Sequence, residues 1–274
     1  MPTPPPTGPL CTRESLADEL LKLGVRPGET LLAHTSLSSL GWVSGGVVAL
    51  VQALLDALGP DGTLVVPTHT GDNSEPSAWQ NPRVPEEWWP VLRAPMPAYD
   101  PLTSPSFGVG VVPEAVRTWP GALRSTHPHA SFAALGPAAA TITAGHARTS
   151  SFGERSPLAH LEKAGARVLL LGAGYDSCTA FHLAQYRIPG PETESSFAVM
   201  TPQGRQWTTV REPAFPSDRF AELGAAFERD TEVVRGHVGA AESRLFPVAD
   251  AVAYAERWLA PPAQRSSGGP LKDR

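Results

Sequence analysis

Residues 30–67 read TLLAHTSLSSLGWVSGGVVALVQALLDALGPDGTLVVP. Thr30 to His34 and Thr63 to Pro67 are short apolar runs of the kind buried on both faces of a sheet. Between them Val47, Leu50, Val51, Leu54, Leu55 and Leu58 recur at helical spacing, from about Ser44 to the breaker Gly59-Pro60. Strand, loop, helix and strand at this spacing predict a βαβ unit, hence a parallel sheet with a right-handed crossover.

The reading extends outward from there. Upstream, Leu16, Leu20 and Leu23 form one stripe of a helix that stops at Gly24. Downstream, twelve of the 30 prolines fall between Pro67 and Pro128, so that region is expected to be loops and short turns. Regular structure resumes with Ser156-Pro157 as N-cap and N1 of a helix to Lys163, followed by the apolar strand Arg167 to Leu171. A helix over Thr179 to Arg187, polar strands near Ser196 to Val210, and helices over Asp218 to Asp230 and Ala249 to Leu259 complete the pattern. The fold class is therefore α/β, with one domain over residues 10–260 and a central, mostly parallel sheet flanked by helices. Residues 1–9 and 261–274 are expected to be a disordered leader and tail.

Composition narrows the function. With 41% hydrophobic and 18% charged residues the chain can build a sizeable core. A net charge of -5 argues against a nucleic-acid partner and suits a cationic ligand. The N-terminus lacks a charged and then apolar signal, and no stretch approaches about 18 consecutive apolar residues, so neither export nor a membrane partner is expected and the cytoplasm is the default. Cys11, placed in the leader, and Cys178 match neither a disulfide framework nor a metal-ligand spacing, so both should be free thiols and no metal is expected. The composition is compatible with a homodimer.

Three segments can carry chemistry. The first, His34 to Gly46, runs from a buried strand to a helix N-terminus and combines hydroxyls, glycines and unpaired N–H groups, which suit phosphate oxygens. It has no Gly-Lys-Ser/Thr and reads equally as a Ser/Gly-rich turn capped by Ser44. The second, Gly172 to Ser177, lacks the third glycine of a dinucleotide fingerprint; instead the end of its strand delivers Asp176 and the next helix to a crevice. On that helix His182 and Gln185 are spaced i,i+3 and share a face, which makes His182 a candidate base alongside His69, His127 and His129. The third, Pro67 to Trp79, sets Asp72 and Glu75 near Trp79, an acidic and aromatic combination suited to a polyamine, or simply turn chemistry.

Together these segments resemble the antibiotic N-acetyltransferase family, which contains the aminoglycoside 3-N-acetyltransferases. The resemblance runs from about Gly24 to Leu259 and rests on several blocks in one order: HTSLSSLGWVSGG from His34, VVPTHTGDNSEPSAWQNP from Val65, MPAYDPLTSPSFGVGVVPE from Met96, RSTHPHASFAALG from Arg124, SFGERSPL from Ser151, LLLGAGYDSCTAFHLAQ from Leu169 and VGAAESRLF from Val238. It implies a fold distinct from the GNAT acetyltransferases, whose Arg/Gln-x-x-Gly-x-Gly/Ala signature is missing from this sequence. It also implies acetyl-coenzyme A as co-substrate, held along His34, Ser36, Leu37, Ser38, Ser39, Gly41 and Val43 and near Ser156. The expected acceptor is an aminoglycoside amine, gripped by Asp72, Asp176 and Trp79, in an antibiotic-resistance reaction.

The family's His-x-x-Glu helix matches His182 and singles it out as the base, but Gln185 stands at the Glu position. A neutral amide supports an imidazolium less than a carboxylate does, by about 1–2 kcal/mol, or roughly ten- to thirtyfold in rate, unless Asp176, Glu192 or Glu194 compensates. Two rival functions remain: the same transfer to another amine, such as an amino sugar or biosynthetic intermediate, and a catalytically weak coenzyme A or polyamine-binding protein.

Overall fold

The computed structural model describes residues 8–260. The expected tail, and the expected leader apart from Gly8 and Pro9, lie outside the described residues. In chain order the strands are β1 (Leu10–Cys11), β2 (Thr30–Thr35), β3 (Trp42–Val43), β4 (Thr63–Pro67), β5 (Leu123–Arg124), β6 (Phe132–Leu135), β7 (Arg167–Leu171), β8 (Glu192–Thr201), β9 (Gly204–Pro213), β10 (Val234–Val238) and β11 (Ala241–Pro247).

Seven of these strands form one sheet in the order β10-β11-β7-β2-β4-β6-β5. The βαβ unit is present: β2 and β4 pair in parallel, Leu31 opposite Leu64, and are joined by the helix Gly46–Leu58. β7 pairs in parallel with the other edge of β2, so the parallel character expected of the sheet resides in its three central strands. The pairings further out are antiparallel.

The central strands alternate between two cores. Leu31, Ala33, Leu64, Val66, Leu169 and Leu171 face one apolar cluster, which includes the stripes of helices Arg13–Leu23 and Gly46–Leu58. Leu32, Val65, Val168 and Leu170 face the other, shared with helices Pro157–Lys163, Phe181–Gln185, Phe220–Asp230 and Val248–Leu259. Successive strand side chains point to opposite faces, so a strand covered by helices on both sides must be apolar throughout, which is why these runs show no polar alternation.

Cys11 corrects the leader assignment. It is 2% exposed, lies in β1 beside β3, and its thiol donates to the Leu40 carbonyl at 3.3 Å. Main-chain bonds from Trp42 to Pro9 and from Ser44 to Cys11 fasten this segment to the turn after β2. That anchoring also shortens the following helix: Ser44 is held in the bridge, and Gly45 at φ 86° serves as N-cap. Both cysteines are free and buried.

The proline-rich region contains the short helices Trp89–Arg93 and Val111–Arg117, two single 3-10 turns and the two-residue edge strand β5, among loops. Against it packs a separate hairpin, β8-β9, in the place of the polar strands expected near Ser196 to Val210. Asn73 joins the two by donating to the Ala198 carbonyl at 3.1 Å and accepting from its N–H at 3.0 Å. Among the described residues no helix is long and apolar enough to cross a membrane.

Candidate active site

The parallel strands β2, β4 and β7 end on the same side of the sheet, at the point where chain order turns away in both directions from β2. Crevices at such points are the usual ligand sites of open α/β sheets. Three cavities meet there.

The first, about 580 Å³, is lined by Ser36, Leu37, Ser38, Gly41 and Val43 from the turn after β2, and by residues 109–112 opposite. Ser36 and Ser38 hydroxyls lie 3.4 Å apart, and the N-terminal end of the Gly46–Leu58 helix opens here with no acidic residue in its first turn. The lining has no basic side chain, but its hydroxyls and helix N–H groups are donors of the kind that can hold phosphate oxygens. Ser39 is placed differently. Its hydroxyl donates to the Ser36 carbonyl at 2.7 Å, and the side chain packs on Gly172, where an added Cβ would lie 1.8 Å from Ser39 Oγ. Gly172, at φ 64°, therefore lets the β7 turn press against the β2 turn.

The second cavity, about 390 Å³, adjoins the first, since Thr35 and Val109 line both. It brings together His34 from β2, His69 from beyond β4, and Asp176, Thr179 and His182 from beyond β7. His182 Nδ1 lies 2.8 Å from Gln185 Oε1, and Gln185 Nε2 donates to the Pro216 carbonyl at 2.7 Å. The second bond orients the amide so that its oxygen faces the imidazole. Nδ1 must then carry the proton, which leaves Nε2 as the basic nitrogen, and Nε2 has no hydrogen-bond partner among the described residues. The ring is stacked on Phe152 at 4.5 Å and flanked by Phe215 and Phe220. Burial pushes the His182 pKa down to about 4, against the opposing effect of the Gln185 bond. Burial, and then the nearby His182, push His34 down to about 3.

The third cavity, about 890 Å³, lies beyond Phe107 and Pro216, whose chain neighbours Gly108 and Ser217 line the His182 cavity. Asp72 and Trp79 line it, together with Glu75, His129, Glu194 and Phe215. Trp79 Nε1 donates to Ser74 Oγ at 2.9 Å, which turns the indole into the wall. Glu75 accepts a bidentate pair of bonds from Arg93, and Glu194 pairs with Arg211 at 3.3 Å. Asp72 has no such partner among the described residues.

The structure thus gathers His34, Ser36, Leu37, Ser38, Gly41, Val43, Asp72, Trp79, Asp176, His182 and Gln185 around one continuous cleft, and leaves Ser39 and Ser156 outside it. Ser156 is fully buried and its hydroxyl accepts from Leu158 N–H as a helix cap, so it lines none of these cavities. Among the described residues no carboxylate hydrogen-bonds the His182 ring, Glu192 and Glu194 included.

His127 separates from His182 on the same criterion. His127 accepts from the His129 and Ala130 N–H groups on Nδ1 and faces the Arg148 carbonyl on Nε2, so both nitrogens serve the loop. Thr35, Thr179 and Val109 were not singled out by sequence, because nothing in a Thr or Val identifies a cleft wall before the strands are arranged. The cleft thus sets the His182 imidazole between a hydroxyl-lined pocket and an acid-bearing one.

Comparison with known proteins agrees with this arrangement. Residues 32–260 match the family model described as aminoglycoside 3-N-acetyltransferase. The chain is 43% identical over 250 residues to the SPbeta prophage-derived aminoglycoside N(3')-acetyltransferase-like protein YokD of Bacillus subtilis strain 168, covering 90% of this chain and 92% of that one. The crystal structure of YokD superposes with a TM-score of 0.91 at 41% identity, over 94% and 97% of the two chains. Aminoglycoside N(3)-acetyltransferase IX of Micromonospora chalcea is 38% identical over 277 residues, 92% of this chain and 94% of its own. The binary complex of AAC-IIIb with CoASH gives a TM-score of 0.81 at 34% identity, over 92% and 97%. With the family model matched over most of its length and relatives of this identity covered almost end to end, the chain belongs to the aminoglycoside 3-N-acetyltransferase family.

Proposed function

We propose that this protein transfers an acetyl group from acetyl-coenzyme A to the 3-amino group of an aminoglycoside, in the cytoplasm, with His182 as the base. The observation that carries this reading is the order of the three cavities, in which the one lined by His182 lies between the hydroxyl-lined pocket and the acidic one. Ser36, Ser38, Gly41 and the N-terminus of the Gly46–Leu58 helix would hold the donor's phosphates. Asp72 would hold an ammonium group of the acceptor, and Asp176 a second one closer to the base.

His182 Nε2 takes the proton from the acceptor nitrogen as that nitrogen attacks the thioester carbonyl. Gln185 accepts from Nδ1–H throughout and keeps the ring in the correct tautomer. Direct transfer needs no acyl-enzyme, and neither buried cysteine lines any of the three cavities. Free-thiol release from acetyl-coenzyme A, measured against an aminoglycoside panel with the product located by NMR, tests the proposal. Thiol release that needs no amine, or cofactor binding without turnover on any amine, would count against it.

One observation favours a second acceptor class. Arg93 neutralises Glu75 and Arg211 faces Glu194, so Asp72 is the carboxylate of this pocket that makes no ion pair among the described residues. Such a pocket also suits an amino sugar with fewer ammonium groups, and the panel should include one.

A further inference from the structure

Among the described residues, four buried side-chain atoms find no hydrogen-bond partner: Thr35 Oγ1, His69 Nε2, Trp89 Nε1 and Tyr175 Oη. Two of the four belong to residues that line the His182 cavity. A buried polar atom left unpaired costs free energy that nothing within the chain returns, and such atoms in native structures call for an explanation. A ligand oxygen placed between them supplies one.

Their positions fit a particular oxygen. Thr35 is the last residue of β2, held by the ladder opposite Leu171, and it lines both the donor cleft and the His182 cavity. An acyl group passing from donor to acceptor must cross that junction. His69 lies two residues beyond the end of β4, with its carbonyl accepting from Phe107 N–H at 2.7 Å. Its ring meets Phe152 edge-on at 5.4 Å, the same Phe152 that stacks on His182. Burial first, and then the neighbouring histidines, hold the His69 pKa well below its ordinary value, so the ring is neutral and carries one N–H.

We propose that the Thr35 hydroxyl and the His69 Nε2–H form the oxyanion site of the acetyl transfer, donating to the thioester oxygen as it becomes negative. The inference rests on the transfer reading given above. The acceptor nitrogen's lone pair forms the N–C bond and the carbonyl π pair moves to oxygen, where the two donors meet it. His182 Nε2 takes the proton from nitrogen. The oxygen pair then re-forms C=O and the C–S bond breaks with its electrons on sulfur, which receives the proton from His182. The products are the amide and free thiol, with the base restored. A fixed pair of donors aimed at developing charge is worth more than the same donors in water, because they need no reorganisation.

Two measurements on the whole protein test this. In the first, the isosteric Thr35→Val should lower kcat by about a hundredfold, the usual cost of losing one oxyanion donor, with coenzyme A affinity within twofold of wild type. Thr35→Ser, which keeps the hydroxyl, should recover most of the rate, and His69→Phe should behave like Thr35→Val. In the second, the infrared carbonyl band of bound acetyl-coenzyme A labelled with ¹³C at the thioester carbon should lie below its solution frequency in wild type and return towards it in Thr35→Val.

The outcomes are separable. A shifted band that relaxes in Thr35→Val, with no turnover on any amine, keeps the oxyanion site and overturns the acceptor assignment. An unshifted wild-type band, or a folded Thr35→Val enzyme with wild-type kcat, overturns the oxyanion site and leaves the transfer reading standing. Failure of acetyl-coenzyme A to bind at all overturns both.

Discussion

The side of the cleft proposed for the donor and the side proposed for the acceptor are built by different physics. The donor pocket and His182 sit on the ends of β2, β4 and β7, whose side chains are buried on both faces of the sheet between helices. The acceptor pocket is walled by the proline-rich region and the β8-β9 hairpin, which are held by polar bonds. Asn73 clasps Ala198; Arg93 pairs with Glu75; Arg205 donates to the carbonyls of Met96 and Arg93; and Arg124 reaches Ser104 and Thr68. Buried Glu212 fastens the hairpin by accepting from Ser151, Tyr186 and Ser195. Apolar side chains such as Trp88, Val91, Leu102 and Phe107 stay exposed on that side. The chemistry therefore rests on packing that a change at Asp72, Glu75 or Trp79 leaves intact, whereas Phe215 and Pro216 serve both the acceptor wall and the His182–Gln185 pair, and the charge of the acceptor pocket rests on a few exchangeable bonds.

The sharpest test of that division is His182→Ala. Turnover should fall by at least about a hundredfold, the lower end of what a positioned base contributes, while donor affinity stays within about twofold by calorimetry. The pH profile adds an independent reading. A base with a pKa near 4 is already deprotonated well below neutrality, so kcat/KM should fall only as pH drops through about 4 and not through 6.5. Stability follows the same sign. Between the folded value near 4 and the unfolded value near 6.5 the unfolded chain binds more protons, so His182 costs stability as pH falls across that window, by about 3 kcal/mol at full shift. The His182→Ala protein should lose correspondingly less on acidification in urea titrations.

Next in size is the donor pocket. Ser38→Glu puts a carboxylate where phosphate oxygens would lie and should weaken coenzyme A binding about tenfold, on the order of 1.4 kcal/mol, with the melting temperature preserved. Ser39→Glu should instead destabilise the fold, since it loses the bond to Ser36 and collides with Gly172. If the two substitutions exchanged effects, the assignment of this turn would be reversed.

The acceptor wall should respond more mildly and more selectively. Arg93→Gln frees Glu75 within the pocket and should lower KM for polycationic acceptors by roughly three- to tenfold, with kcat and donor KM unchanged, and the gain should vanish at high salt. An equal change in donor KM would show that the two sides are not separable.

The smallest effect expected is that of Gln185→Glu. A carboxylate at this position favours the imidazolium, and considered alone it promises a ten- to thirtyfold gain. The structure removes most of that gain, because the Glu oxygen replacing Nε2 would face the Pro216 carbonyl across the present 2.7 Å bond. We expect the kinetic pKa of His182 to rise and kcat to change by less than about threefold. A tenfold gain would mean that the Pro216 loop yields easily and belongs to the adaptable side of the comparison.

Much of the frame was legible beforehand because it is written in local periodicity. The apolar runs at Thr30, Thr63 and Arg167 and the stripe from Val47 to Leu58 can be satisfied only by a sheet covered on both faces. The pairing of His182 with Gln185 was equally readable, since residues three apart on a helix are neighbours wherever that helix packs. The acceptor wall was not readable, because proline-rich loops carry no period and their bonds join residues such as Asn73 and Ala198 that are far apart in sequence.

By itself, then, the sequence determined the α/β class, the βαβ unit, the helix carrying the candidate base and the family to which the chain belongs. The tertiary structure alone decided that His34, Thr35, His69 and His182 share one cavity, because the order of strands in a sheet follows from packing both faces at once rather than from any single segment. It also decided that Cys11 and Ser156 are interior, that Ser39 faces Gly172, and that Glu75 is paired with Arg93 while Asp72 makes no ion pair among the described residues. Each of these depends on which distant residue arrives alongside, and a buried or paired side chain is defined by its neighbours rather than by its own chemistry.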